Sequence, residues 1–378
     1  MYISDTGPFQ ASATATFPGH VFVVKSKDDP DKVIHQWKVD RNQVLYVYDP
    51  IELGTLKLAD LSDEELEGYN LQKDNLRFAE KYKAATGIDY LSLYPLRPRP
   101  LNPMWPADYF GQEHSIVSRE THFEKLPPPE LLTQVSPAAH NQPRLKEYRT
   151  ADSDVLNMTL KVLSCSPRAF EIQNFLSEVE IDHIMKLATG MTLHQSSTKA
   201  GDGGDSRQDT DTRNSRNTWV QRGKSPIIDA IYRRAADLMQ LDEAYLRRRT
   251  RDEMPHLSTK NSNAEELQLV HYEVGQQYTP HHDFSIPSTI PGQPMRFATI
   301  LFYLNEGMEG GETTFPRWLN SEDPKPLRVV PEVGKAVLFY SLLPDGNMDD
   351  LSQHAAAPVT KGEKWLINLW VWDPQFRR

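Results

Sequence analysis

Apolar residues in the C-terminal half of the chain fall into short runs separated by glycine and proline. Four of these runs are rich in β-branched and aromatic residues and predict strands over 267–272, 297–304, 336–340 and 364–372. Upstream, two segments with apolar residues at helical spacing predict helices, one after Ser177-Glu-Val-Glu180 and one over 227–241. Short strands that follow flanking helices predict a mostly β fold, a double-stranded β-helix or jelly roll.

The last predicted strand has two chemically different faces, because alternate residues of a strand point to opposite sides. One face is apolar and holds Trp365, Ile367, Leu369 and Val371. The other face mixes a cation, an amide and indoles, and it holds Lys364, Leu366, Asn368, Trp370 and Trp372. The apolar face is an ordinary core face, whereas the mixed face is typical of a cavity lining. A lysine buried in such a cavity needs an anionic partner.

The first 165 residues have a different pattern. Segments 17–24 and 44–48 are β-like, and Ser62-Asp-Glu-Glu65 predicts the start of a polar helix that runs to about residue 85. Proline then becomes dense between about 94 and 143, which disfavours helices and interior strands. We expect three parts: a small α+β domain over 1–93, a proline-rich linker over 94–165 and the strand-rich domain over 166–378.

The net charge of −10 argues against a nucleic-acid-binding protein, since phosphate neutralisation requires a basic surface. The short basic run Arg247-Arg-Arg249 is interpreted as a solvated helix end. The single cysteine, Cys165, excludes an intrachain disulfide, and no apolar run is long enough to cross a bilayer. The N-terminus lacks the features of a signal peptide, which favours a cytoplasmic location. A glycine-rich polar segment over 198–217 is interpreted as a mobile lid.

The segment Tyr278-Thr-Pro-His281-His-Asp283 contains the residues with the clearest chemical meaning. In a strand, His281 and Asp283 point to the same side, and His354 and Lys364 follow further along the chain. Two imidazoles and one carboxylate form the facial triad that binds non-haem Fe(II) and leaves other coordination positions open. The lysine ten residues after the second histidine matches the need to bind a dicarboxylate cosubstrate. This set predicts a dioxygenase that uses Fe(II), O2 and 2-oxoglutarate and releases succinate and CO2.

Residues from about 166 to 374 resemble the prolyl 4-hydroxylase catalytic domain of the 2-oxoglutarate/Fe(II) dioxygenase superfamily. The resemblance rests on several motifs in order, among them Tyr272-Glu-Val-Gly-Gln276-Gln-Tyr278-Thr-Pro-His281-His-Asp283, Gly310-Gly-Glu-Thr-Thr-Phe315-Pro and Ser352-Gln-His354 with Lys364-Trp. Upstream, Arg213-Asn-Ser215 also fits. The resemblance implies an enzyme of the procollagen-proline 4-dioxygenase type, which hydroxylates peptidyl proline at C4.

The resemblance also implies roles for individual residues. It implies an iron site formed by His281, Asp283 and His354. It implies cosubstrate contacts from Lys364, Tyr272 and Thr299. It implies contacts with a proline-containing peptide or protein from Tyr278, Arg296 and Trp370. His282, between the first two ligands, is expected to be structural. The family further implies ascorbate (vitamin C) as a reductant and the endoplasmic reticulum as an alternative location.

Three departures from the family pattern concern the substrate side. The spacer between Asp283 and Arg296 is short, residues 247–263 form an insertion, and Leu366-Ile-Asn368 stands where smaller residues are common. Two alternatives therefore stay open: the same cofactor chemistry on another substrate, or a non-catalytic module that binds proline-rich peptides. The N-terminal domain is either a partner-binding domain or a structural extension.

Overall fold

The structure is a computed structural model. It describes residues 16–41, 43, 46–87, 102–133, 145–150, 153–196, 198–199, 206–207, 212–250, 253, 261–284, 295–320, 323 and 325–373. For the most part, the first 99 residues form one compact unit and the residues from Pro100 onward form another. Among the described residues, none of the helices combines the length and the apolar character that crossing a bilayer requires.

The smaller unit contains a β-hairpin and one long helix. Strand β1 (Val21–Lys25) pairs antiparallel with β2 (Val33–Lys38), and α1 spans Asp63–Thr86. Ser62 caps the helix as predicted, because its hydroxyl accepts from the Glu65 amide while the Glu65 carboxylate accepts from the Ser62 amide. The partner of β1 is β2, which follows a short polar turn, whereas the β-segment predicted over 44–48 lies partly outside the described residues.

The larger unit is built on a nine-stranded antiparallel sheet, here called the major sheet. Its strands are β3 (Glu113–Ser118), β4 (Leu156–Cys165), β5 (Arg168–Ile172), β6 (His194–Gln195), β9 (Arg216–Val220), β10 (Leu267–Tyr272), β12 (Met295–Tyr303), β16 (Ala336–Tyr340) and β19 (Lys364–Asp373). In space their order is β3-β4-β5-β16-β12-β19-β10-β9-β6. The four strands predicted from the sequence are β10, β12, β16 and β19, and they occupy the centre of this sheet.

A second sheet of four antiparallel strands, the minor sheet, carries part of the candidate site. It consists of β11 (Tyr278–His281), β14 (Thr313–Phe315), β15 (Leu327–Val329) and β17 (His354–Ala356), in the spatial order β11-β17-β14-β15. Two small ladders join β7 (Thr198–Lys199) to β8 (Ser206–Arg207) and β13 (Glu309–Gly310) to β18 (Val359–Lys361). The helices of this unit are α2 (Pro129–Leu132), α3 (Glu178–Thr189) and α4 (Pro226–Leu238).

The two sheets share one apolar core, which confirms the predicted jelly roll. Val270, Leu301 and Phe339 of the major sheet pack in the same cluster as Phe315 and Val329 of the minor sheet. These side chains are almost completely removed from water. Each buried side chain of this size contributes roughly 1.5–3 kcal/mol to folding, so the shared core holds the two sheets face to face.

The segment expected to be a linker contributes two strands to the larger unit. Strands β3 and β4 lie within 94–165, and they extend the major sheet through antiparallel pairing with each other and with β5. The prolines that suggested an extended connector precede β3 or lie between β3 and β4, whereas 156–165 is proline-free and alternates between buried and exposed residues. The alternation of buried and exposed residues in 156–165 favours a strand, and the prolines before it do not prevent one from forming.

The interpretation of the basic run as a solvated helix end is wrong. Arg247 and Arg249 are 5% and 4% exposed, respectively. The Arg247 guanidinium binds the carboxylates of Glu243 and Glu253, and Arg249 donates to the side-chain oxygen of Asn263. Burial of these arginines is possible because carboxylates neutralise Arg247 and an amide oxygen accepts a hydrogen bond from Arg249. Half of the lid predicted over 198–217 and nearly all of the short spacer after Asp283 lie outside the described residues. In the described half, 198–199 pair with 206–207, and 216–217 belong to β9.

Candidate active site

The three predicted iron ligands come together where the minor sheet meets the cavity. His281 at the end of β11 and His354 at the start of β17 are directly opposite each other in the antiparallel ladder. Asp283 follows two residues after His281. One ligand atom from each residue lies within 4.8 Å of the others, and this triad is the one such group among the described residues. The Asp283 carboxylate oxygens are 3.8 Å from His281 Nε2 and 3.5 Å from His354 Nε2.

Both imidazoles are held in the tautomer that metal binding requires. His281 Nδ1 donates to the Thr279 carbonyl at 2.8 Å, and His354 Nδ1 donates to the Ser352 carbonyl at 3.0 Å. Each Nε2 is then left as an acceptor that faces the carboxylate. Burial, together with the adjacent His354 ring, lowers the pKa of His281 well below its usual value. A histidine that stays neutral at physiological pH is ready to coordinate a cation.

Thr299 is placed beside the metal-binding carboxylate. Its hydroxyl donates to Asp283 Oδ2 at 2.6 Å, and the threonine is fully buried in β12 opposite Trp370. Burial by itself raises the pKa of Asp283, but the two histidines, Arg296 and the Thr299 hydroxyl outweigh it, so the pKa falls below the ordinary value. Asp283 is therefore an anion with one oxygen fixed by Thr299 and the other left for a metal.

Replacing Thr299 by valine should weaken iron binding without removing a ligand. Valine keeps the shape but loses the hydroxyl that orients Asp283, and losing such an orienting partner reduces metal affinity by about 10- to 100-fold. Titration of the metal-free protein with Fe(II) under anaerobic conditions measures the change. Thr360→Val is a matched control, since Thr360 is exposed and bonds only the Glu309 carbonyl. Unchanged Fe(II) affinity in Thr299→Val would show that this hydrogen bond does not orient the ligand.

Lys364 lies at the start of β19 and faces the cavity that contains the triad. It is 1% exposed, and among the described residues its ammonium has no hydrogen-bond partner. The nitrogen lies 5.5 Å from the ring centre of Tyr272 and 5.6 Å from that of Tyr303. Burial lowers the pKa of Lys364 to about 7, against a smaller opposing effect of the Glu312 carboxylate. A buried cation without a partner is costly, so the site is built for an anion.

The two glycines before β14 make room for this lysine. Gly310 has φ +76° and packs so closely on β18 that a Cβ would lie 2.1 Å from the Pro358 carbonyl oxygen. Gly311 has φ +74°, and a Cβ there would lie 3.3 Å from Lys364 Cδ. The backbone at Gly311 is therefore the surface on which the stem of Lys364 rests.

The cavity is lined by residues from both sheets. Its walls comprise Arg213, Tyr272, Tyr278, His281, Asp283, Leu301, Thr313, His354, Ala355, Ala356, Lys364, Leu366, Asn368 and Trp370. Of the residues selected from the sequence, Tyr272, Tyr278 and Trp370 line it together with the triad and Lys364. The cavity face predicted for β19 is confirmed from Lys364 to Trp370. Arg213 and Thr313 received no role from the sequence, although both belong to motifs that matched the family pattern.

Tyr278 and Trp370 form the aromatic part of the cavity. The Tyr278 ring stacks on His281 with centroids 3.4 Å apart, and the Arg213 guanidinium lies 4.7 Å from its centre. The guanidinium carbon of Arg296 lies 3.9 Å from the ring centre of Trp370. The same guanidinium donates two hydrogen bonds, of 2.6 and 3.0 Å, to the Glu265 carboxylate. Arg296 thus braces the indole, and among the described residues the buried Trp370 Nε1 has no acceptor. His282 points away and donates to the Asp350 carbonyl at 3.0 Å.

The sequence of this region matches a known superfamily. Residues 267–372 match the 2OG-Fe(II) oxygenase superfamily. The chain is 34% identical over 226 residues to probable prolyl 4-hydroxylase 8 of Arabidopsis thaliana, which covers 56% of this chain and 70% of that protein. The chain belongs to the prolyl 4-hydroxylase family. Prolyl 4-hydroxylase 2 of the same plant is 33% identical over 238 residues, covering 59% of this chain and 73% of that protein.

Solved structures of prolyl hydroxylases are also similar to this chain. A viral collagen prolyl hydroxylase from Paramecium bursaria Chlorella virus 1 is 26% identical, with a TM-score of 0.40, and covers 54% of this chain and 95% of its own. A Pseudomonas putida prolyl 4-hydroxylase is 18% identical, with a TM-score of 0.36, and covers 56% of this chain and 92% of its own.

Membership of the prolyl 4-hydroxylase family defines the chemistry. The protein is a 2-oxoglutarate-dependent dioxygenase, and the family uses Fe(II), 2-oxoglutarate and O2. The donor set of the cavity fits this assignment: two imidazoles and one carboxylate suit Fe(II), and the ammonium of Lys364, which has no hydrogen-bond partner among the described residues, suits a carboxylate.

Proposed function

We propose that this enzyme hydroxylates peptidyl proline at C4, with His281, Asp283 and His354 binding Fe(II) and Lys364 binding the distal carboxylate of 2-oxoglutarate. The observation that carries the proposal is the buried Lys364 ammonium, which shares the cavity of the triad and has no hydrogen-bond partner in the described part of the chain. When bound, Fe(II) and 2-oxoglutarate would supply the oxidising chemistry. In the overall reaction, O2, 2-oxoglutarate and a C–H group of the peptide yield succinate, CO2 and a C–OH group. We further propose ascorbate as the reductant that maintains Fe(II).

The residues of the cosubstrate pocket bind and orient. Lys364 supplies the positive charge, and burial raises the pKa of Tyr272, so its phenol stays protonated and can donate to the same carboxylate. Leu301 and Leu366 line the cavity and exclude water from it. In such an apolar setting a charge-assisted hydrogen bond is stronger than in water. Thr299 contributes indirectly, because it orients Asp283 rather than contacting the cosubstrate.

The proposed peptide substrate is supported by the family and by the aromatic wall of the cavity, which Tyr278 and Trp370 form. The relatives are named prolyl 4-hydroxylases, and Tyr278 and Trp370 provide flat apolar surfaces of the kind on which a proline ring packs. Extended proline-rich peptides leave their carbonyls free of internal hydrogen bonds, and Trp370 Nε1, which meets no acceptor within the described ranges, is a donor for one of them. Arg296 acts on the peptide through Trp370, which it holds in place.

The smaller unit is proposed as a partner-binding domain. Its hairpin supports this role, because Val21 and Val23 point to the same face of β1 and are each at least 40% exposed. Apolar side chains that are exposed together on one face are often covered by a protein partner.

The proposed reaction is tested by supplying Fe(II) and 2-oxoglutarate to the full chain with a panel of proline-rich peptides. Decarboxylation is measured, and each peptide is examined by mass spectrometry and by chromatography against a 4-hydroxyproline standard. We expect decarboxylation coupled to one added oxygen on proline. Decarboxylation without a modified peptide would reject proline as the target and keep the cofactor chemistry. Iron-replete protein that never decarboxylates 2-oxoglutarate would favour the binding module instead.

A further inference from the structure

Trp219 lies on the cavity side of the major sheet, although it belongs to β9, two strands away from β19. It is opposite Gln268 in the β9–β10 ladder, and Gln268 is opposite Asn368 in the β10–β19 ladder. Residues directly opposite each other across a ladder point to the same face of a sheet. Trp219 therefore shares the face of Asn368, which lines the cavity.

Trp219 also continues the aromatic wall from the cavity to the surface. Its ring centre is 5.9 Å from that of Trp370, with the two planes inclined by 47°. Trp370 is 6% exposed, whereas Trp219 is 39% exposed. Arg296 packs on the buried indole, so the pair forms a fixed aromatic surface with one end inside the cavity and one end in water.

The two neighbouring indoles are positioned to contact an extended peptide. A polyproline II chain has three residues per turn and rises about 3.1 Å per residue, so one turn spans about 9 Å, more than the 5.9 Å between the ring centres. Such a chain is stiff, and aromatic surfaces bind it through its proline rings. If the target proline lies beside Trp370 at the metal, a residue within one turn of it lies over Trp219.

We infer that Trp219 forms a second substrate subsite that selects proline within three positions of the hydroxylated proline. The inference rests on the proposed hydroxylation of peptidyl proline and adds a sequence preference to it. The position of the indole explains how the enzyme distinguishes a proline-rich segment from an isolated proline: one proline enters the cavity while a second packs on the exposed ring.

The test compares steady-state KM values for peptides that differ at only one of the three positions before or the three positions after the target proline, where each carries proline or glycine. For the unmodified enzyme we expect a KM about tenfold lower when proline occupies the preferred one of these positions, the effect of one aromatic contact. In Trp219→Ala the ratio between the proline and glycine peptides should fall to near one. Trp219→Phe, which keeps an aromatic ring, should restore most of the preference, and the KM for 2-oxoglutarate should stay constant.

Val117→Ala is the matched control, because Val117 is 57% exposed on β3 at the opposite end of the major sheet. It should retain the full peptide preference. A preference that survives in Trp219→Ala, or a KM that rises equally for both peptides, would overturn the subsite while leaving proline hydroxylation intact. If the unmodified enzyme hydroxylates none of the peptides, the proposed function itself fails and the subsite is rejected with it.

Discussion

Replacing His354 by alanine should leave a folded protein that neither binds Fe(II) nor hydroxylates a substrate. His354 supplies one of three ligand atoms, and its Nε2 faces Asp283 across 3.5 Å. With one imidazole removed, a histidine and a carboxylate remain, which is too few to hold Fe(II) against water. Mutation of a residue that only orients a metal ligand lowers the metal affinity by about 10- to 100-fold. Loss of a ligand itself should have a larger effect and reduce activity to below about 1%.

Two measurements check this expectation. Metal analysis after anaerobic loading gives the iron content, and circular dichroism shows whether the jelly roll is retained. His194→Ala is the control, since His194 is an exposed histidine on β6 in the same unit. Stoichiometric iron in His354→Ala would mean that the triad is not the metal site.

Replacing Lys364 by alanine should raise the dissociation constant of 2-oxoglutarate by about 100-fold or more, because the cosubstrate carboxylate would be buried without its cation. Iron binding should persist, since Lys364 is not a ligand. Turnover should recover in part at high 2-oxoglutarate concentration, which separates this variant from His354→Ala. Lys361→Ala is the control, because Lys361 is an exposed lysine paired with Glu309. Unaltered 2-oxoglutarate affinity would disprove the assignment of the pocket.

The lowered pKa of Lys364 should make the binding of 2-oxoglutarate depend on pH. In the free enzyme the pKa of Lys364 is about 7, and a bound carboxylate stabilises the ammonium and raises that pKa. The favourable interaction is therefore complete below about pH 7 and declines as the pH rises, because the neutral amine must first take up a proton. The dissociation constant should increase by up to about tenfold per pH unit above pH 7. Titrations between about pH 6 and pH 9 should show this slope in the unmodified enzyme and not in Lys364→Ala.

The centre of the fold and the residues of the candidate site follow from the sequence because strand periodicity is a local property. Alternation alone placed Lys364 and Trp370 on one face, and both line the cavity. The position of Thr299 could not be read in this way. Its contact with Asp283 depends on how β12 lies against the segment after β11, which is a matter of register and of packing between sheets.

Two features were missed because they depend on contacts between distant segments. The proline content around β3 and β4 suggested a linker, but the strands themselves find partners in the major sheet. Trp219 likewise gains its meaning from a strand that is distant in sequence, since its contact with Trp370 joins β9 to β19. The run at 247–249 is a different case, because Arg247 binds Glu243 and Glu253, which are only four and six residues away in sequence.

The direct opposition of His281 and His354 has a consequence for the lifetime of the protein. These residues come from distant parts of the chain and meet only when β11 pairs with β17. A metal ion bound to both is a cross-link between these strands, and its binding free energy adds to the free energy of unfolding. Iron starvation would thus do more than stop turnover: it would loosen the minor sheet and expose the chain to proteolysis, so that the amount of enzyme follows the supply of its metal.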